Sequence, residues 1–253
     1  MKHHDTMERW IPGLGLAIWG LTMIWASTLL AQGGEPEPVP ADDAMLESVR
    51  PGINERWKSG EVGELVGMLE RDGREIFENR VAIADLLAPP PGMRLADVGA
   101  GSGFMVEEFA KRVGAEGKVY GVDINGEMMA RLAERADSAG LTQVETVTCT
   151  ETSVELPEAS VDLVFLADTY HHFEYPAQSL ESIHRALVPG GRLVILDFER
   201  IVGESSDWVL EHVRLGKDEV IEEVGNHGFE LVGDLEAPFL SENYAIEFRR
   251  TDD

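Results

Sequence analysis

Three glycines and an acidic residue lie close together in the stretch "LADVGAGSGF", residues 95–104. Gly99, Gly101 and Gly103 follow the spacing G-x-G-x-G, whereas the dinucleotide fingerprint is G-x-G-x-x-G. Asp97 precedes this loop, and its carboxylate is badly placed beside a pyrophosphate but favourable beside a cationic ligand. The spacing and Asp97 therefore disfavour a nicotinamide oxidoreductase.

A second acidic residue, Asp123, ends the strand-like segment "VYGVDIN" twenty residues after Gly103. An acidic side chain at this place in an α/β fold can accept hydrogen bonds from both ribose hydroxyls. The alternative is that Asp97 and Asp123 are solvated strand ends and that the glycines form a plain turn. The joint pattern favours a binding site.

Candidate reacting groups follow in "ADTYHHFEYP", where Asp168, Tyr170, His171 and His172 stand after a strand-like run. Histidine titrates near neutral pH, so either histidine could be a general base, while one of them could only support the loop. Adjacent histidines are expected to point in different directions, and no further ligand stands at the usual helical spacing. No metal site is predicted.

A second group of candidates lies in "EHVRLGK". Arg214 could bind an anionic group through its planar guanidinium, or form a salt bridge in this acidic chain. His212 lies in the same connection, and Tyr244 could reach the same crevice. Cys149 is interpreted as a buried core thiol, because nothing in the sequence gives it an electropositive setting.

These residues need a scaffold, and the segments that follow Met93 alternate between strand-like and helix-like patterns. Runs such as "LVFLA" and "LVILDF" are apolar on both faces, as in a parallel sheet covered on both sides. Two strand-like runs near the end, "FELVGDLE" and "YAIEFRR", predict an antiparallel hairpin at a sheet edge. The pattern predicts a doubly wound α/β domain.

Four segments of the chain resemble, in order and spacing, the motifs of class I S-adenosylmethionine-dependent methyltransferases: "ADVGAGSGF", "VYGVDIN", "SVDLVFLADTYHHF" and "ALVPGGRLVILDF". The resemblance covers about residues 74–200 and is greatest to small-molecule enzymes similar to quinone-biosynthesis and arsenite methyltransferases. It implies a Rossmann-like, mostly parallel seven-stranded sheet that ends in an antiparallel hairpin. It also implies S-adenosyl-L-methionine as the cofactor.

The resemblance assigns roles to individual residues. The family's acidic residue for the adenine amino group is replaced here by Thr152, with Glu151 beside it. The implied cofactor-binding residues are Asp97, Gly99, Gly101 and Gly103 for the methionine part, Asp123 for the ribose, Ile124 for the adenine, and Asp168. The candidate catalytic residues are Tyr170, His171, His172 and Arg214.

The acceptor is expected to be a small molecule, because only short segments flank the sheet. A thiol or sulfide is preferred, since a Tyr–His pair is a sufficient base for a thiol that partly ionises near neutral pH. Oxygen, nitrogen and carbon acceptors and arsenite remain alternatives. So does an exported module that binds S-adenosylmethionine without catalysis.

The chain of 253 residues has 47 acidic and 21 basic residues, a formal charge of -26, which disfavours nucleic-acid binding. With one cysteine it can form no internal disulfide. Residues 1–31 carry basic residues before an apolar run and predict a signal peptide or a membrane anchor through residues 10–30, hence export to the periplasm or membrane attachment. Residues 32–44 are interpreted as a linker, 45–90 as a helical cap, and 91–253 as the methyltransferase domain.

Overall fold

The computed structural model describes residues 47–252. The predicted signal or anchor segment and the predicted linker lie outside the described residues, so these expectations stay predictions. Among residues 47–252, no helix combines the length and apolar character that crossing a membrane requires.

The described residues form a seven-stranded sheet in the order β3-β2-β1-β4-β5-β7-β6. Strands β1 to β5 run parallel, and β7 lies antiparallel between β5 and β6. This confirms the predicted fold, including the final hairpin. The strands are β1 Arg94–Val98, β2 Lys118–Asp123, β3 Val144–Thr148, β4 Val161–Ala167, β5 Leu187–Phe198, β6 Phe229–Asp234 and β7 Asn243–Arg250.

Helices cover both faces of the sheet, which explains why the central strands are apolar throughout. Buried side chains of α5 and α6 form one core cluster on the first face, and those of α7 and α9 form a second on the other face. The described helices are α1 Glu55–Ser59, α2 Val62–Leu69, α3 Glu75–Glu78, α4 Arg80–Leu87, α5 Phe104–Val113, α6 Gly126–Ser138, α7 Pro176–Ala186, α8 Asp207–His212 and α9 Lys217–Gly225.

The segment before the sheet supplies four short helices that pack onto the first face. Leu65, Ile76, Ile83 and Leu87 are fully buried and belong to the same core cluster as Phe109 of α5. Burial against α5 stabilises α1 to α4, which are too short to be stable alone in water. This segment, which we call the helical cap, therefore shares its core with the sheet.

Two elements differ from the sequence prediction. Strand β5 begins at Leu187 and contains Pro189, whereas the sequence pattern predicts that Pro189 stops a helix and that the strand begins later. The pairing with β4 skips from Leu187 to Arg192, so Pro189 lies in a bulge where its missing N–H is not needed. Helix α8 was not predicted, and the Ser206 side chain caps it by accepting a hydrogen bond from the backbone N–H of Val209.

Candidate functional site

A cavity of about 1160 Å³ opens at the carboxyl ends of β1, β2, β4 and β5. The strand order reverses between β1 and β4, and such a switch point is where ligands bind in open α/β sheets. The helical cap closes one side of the cavity through Asn54, Trp57 and Leu69. The volume exceeds the 300–1,000 Å³ or so of a typical single-ligand pocket, which leaves room for two small molecules.

The glycine loop after β1 lines the cavity with backbone atoms, because its glycines have no side chain. Gly99 and Gly101 have φ angles of 79° and 54°, a region that favours glycine. A Cβ at Gly99 would lie 2.2 Å from Oγ1 of Thr169, and one at Gly101 would lie 2.6 Å from a methyl carbon of Leu69. Close packing on both sides therefore requires glycine at these two cavity-lining positions.

Gly103, the third glycine of the loop, has a packing role. It is absent from the described residues that line the cavity, and it precedes α5 with a φ of 83°. A Cβ there would lie 2.1 Å from a methyl carbon of Leu132 on α6. Gly103 therefore allows α5 to pack closely on α6, and its predicted cofactor contact stays a prediction.

Two carboxyl groups lie on the cavity floor. Asp97 is 3% exposed, and burial together with the nearby Asp123 raises its pKa to about 8. Asp123 accepts hydrogen bonds from the backbone N–H groups of Gly101 at 2.9 Å and Asn125 at 3.0 Å. Burial raises the pKa of Asp123, and these backbone donors partly oppose that rise. A cationic ligand would stabilise both carboxylates.

The wall beyond Asp123 contains the residues predicted to face an adenine. Ile124 and Glu151 line the cavity, whereas Thr152 is not among the described lining residues. The Glu151 carboxylate is paired with Lys58 of the cap at 3.0 Å. Cys149 also lines the cavity, and it is half-buried and packs against the second core cluster, at the boundary of the core where it was predicted. Burial, with Asp123 nearby, raises the pKa of its thiol to about 12, so Cys149 is a weak nucleophile.

Asp168 follows β4 and lines the cavity with a φ of 50°. Its carboxylate accepts hydrogen bonds from the Arg74 guanidinium at 2.8 Å and from the Asn243 amide at 2.6 Å. Burial raises its pKa, which Arg74 partly opposes. Sequence reasoning missed both partners, which belong to the cap and to β7 and lie far from Asp168 in the chain.

His171 is buried and paired with Asp197, the penultimate residue of β5. Nδ1 of His171 lies 2.7 Å from one carboxylate oxygen of Asp197, and its backbone N–H donates to the other at 3.0 Å. A carboxylate at Nδ1 favours the tautomer that protonates this nitrogen and leaves Nε2 as the basic atom. Asp197 was also missed, although a polar residue at the end of an apolar strand is a recognisable signal.

Three histidine rings lie close together in the wall of the cavity. The ring centroids of His171 and His172 are 4.4 Å apart, and His212 of α8 lies 5.2 and 5.3 Å from them. The expectation that adjacent histidines point in different directions is wrong here, since the two rings lie side by side at the end of a 3₁₀ turn over residues 170–172. Burial and the neighbouring histidines lower the pKa of His172 to about 2 and that of His212 to about 4, so both rings are neutral at pH 7.

Two predicted catalytic residues face away from the cavity. Tyr170 is buried in the second core cluster, and its hydroxyl donates to Glu223 of α9 at 2.5 Å. Arg214 forms a bidentate pair with the same carboxylate, at 2.6 and 2.8 Å. The structure therefore corrects both roles. Tyr244 is also buried outside the cavity lining, and its neighbour Asn243 occupies the wall instead.

Comparison with known proteins identifies the fold family. Residues 96–195 match the sequence profile of a family described as "Methyltransferase domain". The ubiquinone/menaquinone biosynthesis C-methyltransferase UbiE of Bordetella parapertussis is 28% identical over 169 residues, which are 66% of this chain and 57% of that protein. The UbiE protein of Methylococcus capsulatus is 34% identical over 128 residues, 49% of this chain and 50% of that one. The chain thus spans about half the length of these curated relatives.

Solved structures show the same fold. A SAM-dependent methyltransferase from Aquifex aeolicus has a TM-score of 0.66 at 24% identity, with 76% of this chain and all of that chain covered. The [4+2]-cyclase SpnF has a TM-score of 0.59 at 19% identity, over 73% and 86% of the two chains. At these identities the likeness shows the fold alone. Together with the sequence matches, it supports a class I S-adenosylmethionine-dependent methyltransferase of the small-molecule kind, which would use S-adenosyl-L-methionine as its cofactor.

Proposed function

We propose that this protein transfers the methyl group of S-adenosylmethionine to a small acceptor bound at the histidine end of the cavity. The observation that carries the proposal is the pairing of His171 with Asp197 in the wall of a cavity that also contains Asp97 and Asp123. The two carboxyl groups suit a cationic nucleoside, and His171 can accept a proton.

The proposed reaction assigns a role to the His171–Asp197 pair. The acceptor atom attacks the methyl carbon in line with the C–S bond, whose electron pair returns to sulfur as S-adenosylhomocysteine leaves. A proton on the acceptor passes to Nε2 of His171, and Asp197 stabilises the resulting imidazolium. The cofactor is already activated, so the protein's main task is alignment.

A thiol or sulfide is the acceptor we propose first. A thiol needs only a modest base, and the His171–Asp197 pair takes the place that the sequence prediction gave to a Tyr–His pair. An aromatic carbon acceptor is the second candidate, because the names of the curated relatives specify C-methylation. The apolar side chains of Ile201 and Trp208 at the cavity edge, 43% and 53% exposed, favour an apolar ring there.

A panel of acceptors distinguishes these candidates. Sulfide, small thiols, hydroxylated aromatic rings, phenols, amines and arsenite are each mixed with the protein and S-adenosylmethionine, and release of S-adenosylhomocysteine is followed. We expect one class to stimulate release and Asp123→Ala to weaken cofactor binding by roughly 30-fold, which corresponds to about 2 kcal/mol for a hydrogen-bonded charge. Cofactor binding without release for any class would favour the non-catalytic alternative.

A further inference from the structure

Three histidines converge in the wall of the cavity. One ring nitrogen from each of His171, His172 and His212 lies within 4.8 Å of the other two. We propose that these three side chains bind a divalent transition metal of the Zn²⁺ type, with one coordination position open to the cavity. Three imidazoles and an open position are the donor set of many catalytic zinc sites.

The geometry requires only a small closure. A tetrahedral Zn²⁺ with Zn–N bonds of about 2.1 Å separates its ligand nitrogens by about 3.4 Å. Because all separations here are within 4.8 Å, none must shorten by more than about 1.4 Å. His212 can supply this movement, because it is half-buried and ends α8, a helix of six residues.

Asp197 provides the support that metal-bound histidines usually have. It holds Nδ1 of His171 at 2.7 Å and is itself fixed by the backbone N–H groups of His171 and Phe198 at 3.0 and 2.8 Å. A carboxylate on one imidazole nitrogen orients the ring and makes the other nitrogen a better ligand. Nε2 of His171 is thus the nitrogen available to a metal.

His172 gives a second, independent indication. Within the part of the chain that the structure describes, Nδ1 of His172 is buried without a hydrogen-bond partner. A buried polar atom without a partner is unfavourable by about 1–3 kcal/mol in proteins generally, so such an atom calls for an explanation. A cation bound between the three rings would reorient His172 and supply a partner for its ring.

The surrounding charge favours a cation. Eight acidic residues and two arginines are among the described residues that line the cavity. One cation, Arg50, lies close to the rings, but its guanidinium donates to the backbone oxygens of Glu211 and His212 at 2.7 and 2.5 Å. The Asp197 carboxylate, which contacts His171, offsets this charge.

If the protein transfers methyl groups as proposed, the metal would also favour acceptors that can bind it, such as a thiol. A thiol would lose its proton to water as its sulfur occupies the open position, and the metal would keep the thiolate ionised near the sulfonium. In that state His171 is a ligand, and the metal replaces it as the means of deprotonating the acceptor.

The test is metal binding without cofactor or acceptor, so its outcome is independent of methyl transfer. The full chain, without an added affinity tag, is stripped with a chelator and titrated with Co²⁺ while the visible absorption of tetrahedral Co²⁺ is followed. We expect one equivalent to bind, to be displaced by Zn²⁺, and to raise the Tm. Asp197→Asn should weaken binding by about 10–100-fold.

Matched variants locate the site. His212→Ala and His172→Gln should abolish the tetrahedral absorption while the circular dichroism spectrum stays that of the wild type. His184→Ala is the control and should bind Co²⁺ like the wild type, since His184 contacts Thr251 on another part of the fold. All variants retain His3 and His4 of the N-terminal segment, so any binding by these two residues is the same in each. Wild-type protein without the tetrahedral absorption, or folded His212→Ala and His172→Gln proteins that bind like the wild type, would overturn the proposal.

Discussion

Asp97 illustrates how one buried side chain can serve binding at the expense of stability. Its pKa of about 8 in the folded protein lies above the usual 3.8, so the folded chain keeps a proton that the unfolded chain releases between these pH values. The free energy of unfolding of the ligand-free protein therefore falls as pH rises through this window, and the loss is complete above about pH 8. A cationic cofactor reverses this by favouring the ionised carboxylate.

We predict that cofactor binding at pH 7 releases up to about one proton per chain, because the positive charges of S-adenosylmethionine lower the pKa of Asp97. Calorimetry in two buffers of different ionisation enthalpy measures the release. The Asp97→Asn variant should release no proton and should be more stable than the wild type above about pH 8. A wild-type binding enthalpy that is the same in both buffers would count against this role.

His171 and Tyr170 are neighbours with opposite orientations, and substitution separates them. His171→Ala should slow turnover by about 10²–10⁴-fold through loss of the base, with little change in cofactor affinity. Tyr170→Phe should leave turnover unchanged and lower the free energy of unfolding by about 1 kcal/mol, since it removes only the hydrogen bond to Glu223. Single-turnover rates and urea unfolding distinguish the two; equal rates for both variants would refute the assignment.

At the scale of elements, the sequence predicts the scaffold better than the site. The apolar runs of β4 and β5 and the glycines after β1 are local signals, and each is enough to place a strand or a turn. Arg74, Asn243 and His212 reach the cavity from three distant segments, so no local pattern connects them. The side chain of Tyr170 points from its turn towards α9, and only the packed structure shows this orientation.

The turn after β1 depends on contact with the turn after β4. Gly99→Ala would place a Cβ 2.2 Å from the branched side chain of Thr169, in addition to its unfavourable φ. Gly114→Ala is the matched control, because its φ is 66° and nothing lies within 4 Å of the added carbon. We expect Gly114→Ala to lower stability by about 1 kcal/mol, and Gly99→Ala by about 2–4 kcal/mol.

Only Gly99→Ala should also weaken cofactor binding, since Thr169 adjoins Asp168 in the cavity wall. Thermal unfolding and calorimetric titration measure the two effects. If both variants lose the same stability and keep wild-type affinity, close packing at Gly99 does not shape the site.

At the scale of the whole molecule, the helical cap and the sheet act together. Residues 47–252 belong to one compact unit, and the Arg74–Asp168 pair joins the cap to the wall of the cavity. The cap supplies Trp57 and Leu69 to the same wall. The cavity is therefore complete only when the cap is folded.

The N-terminal segment raises a separate question, because the cofactor is made in the cytoplasm. We propose that residues 1–31 direct export or attach the protein to the membrane, on the basis of their basic start and apolar run. Fractionation of the native host should then find the protein in the periplasm or the membrane, and mass spectrometry should show whether the segment is cleaved. Recovery of the intact chain in the cytoplasm would contradict the proposal.

The central claim is that a methyl group leaves S-adenosylmethionine in this cavity and reaches a small acceptor. The most direct measurement is a reaction with methyl-labelled cofactor, in which S-adenosylhomocysteine and the labelled product are both quantified by mass spectrometry. We predict equal amounts of the two with wild-type protein and a large decrease of both with His171→Ala. Bound cofactor that stays intact, or S-adenosylhomocysteine formed without a labelled product, would contradict the claim.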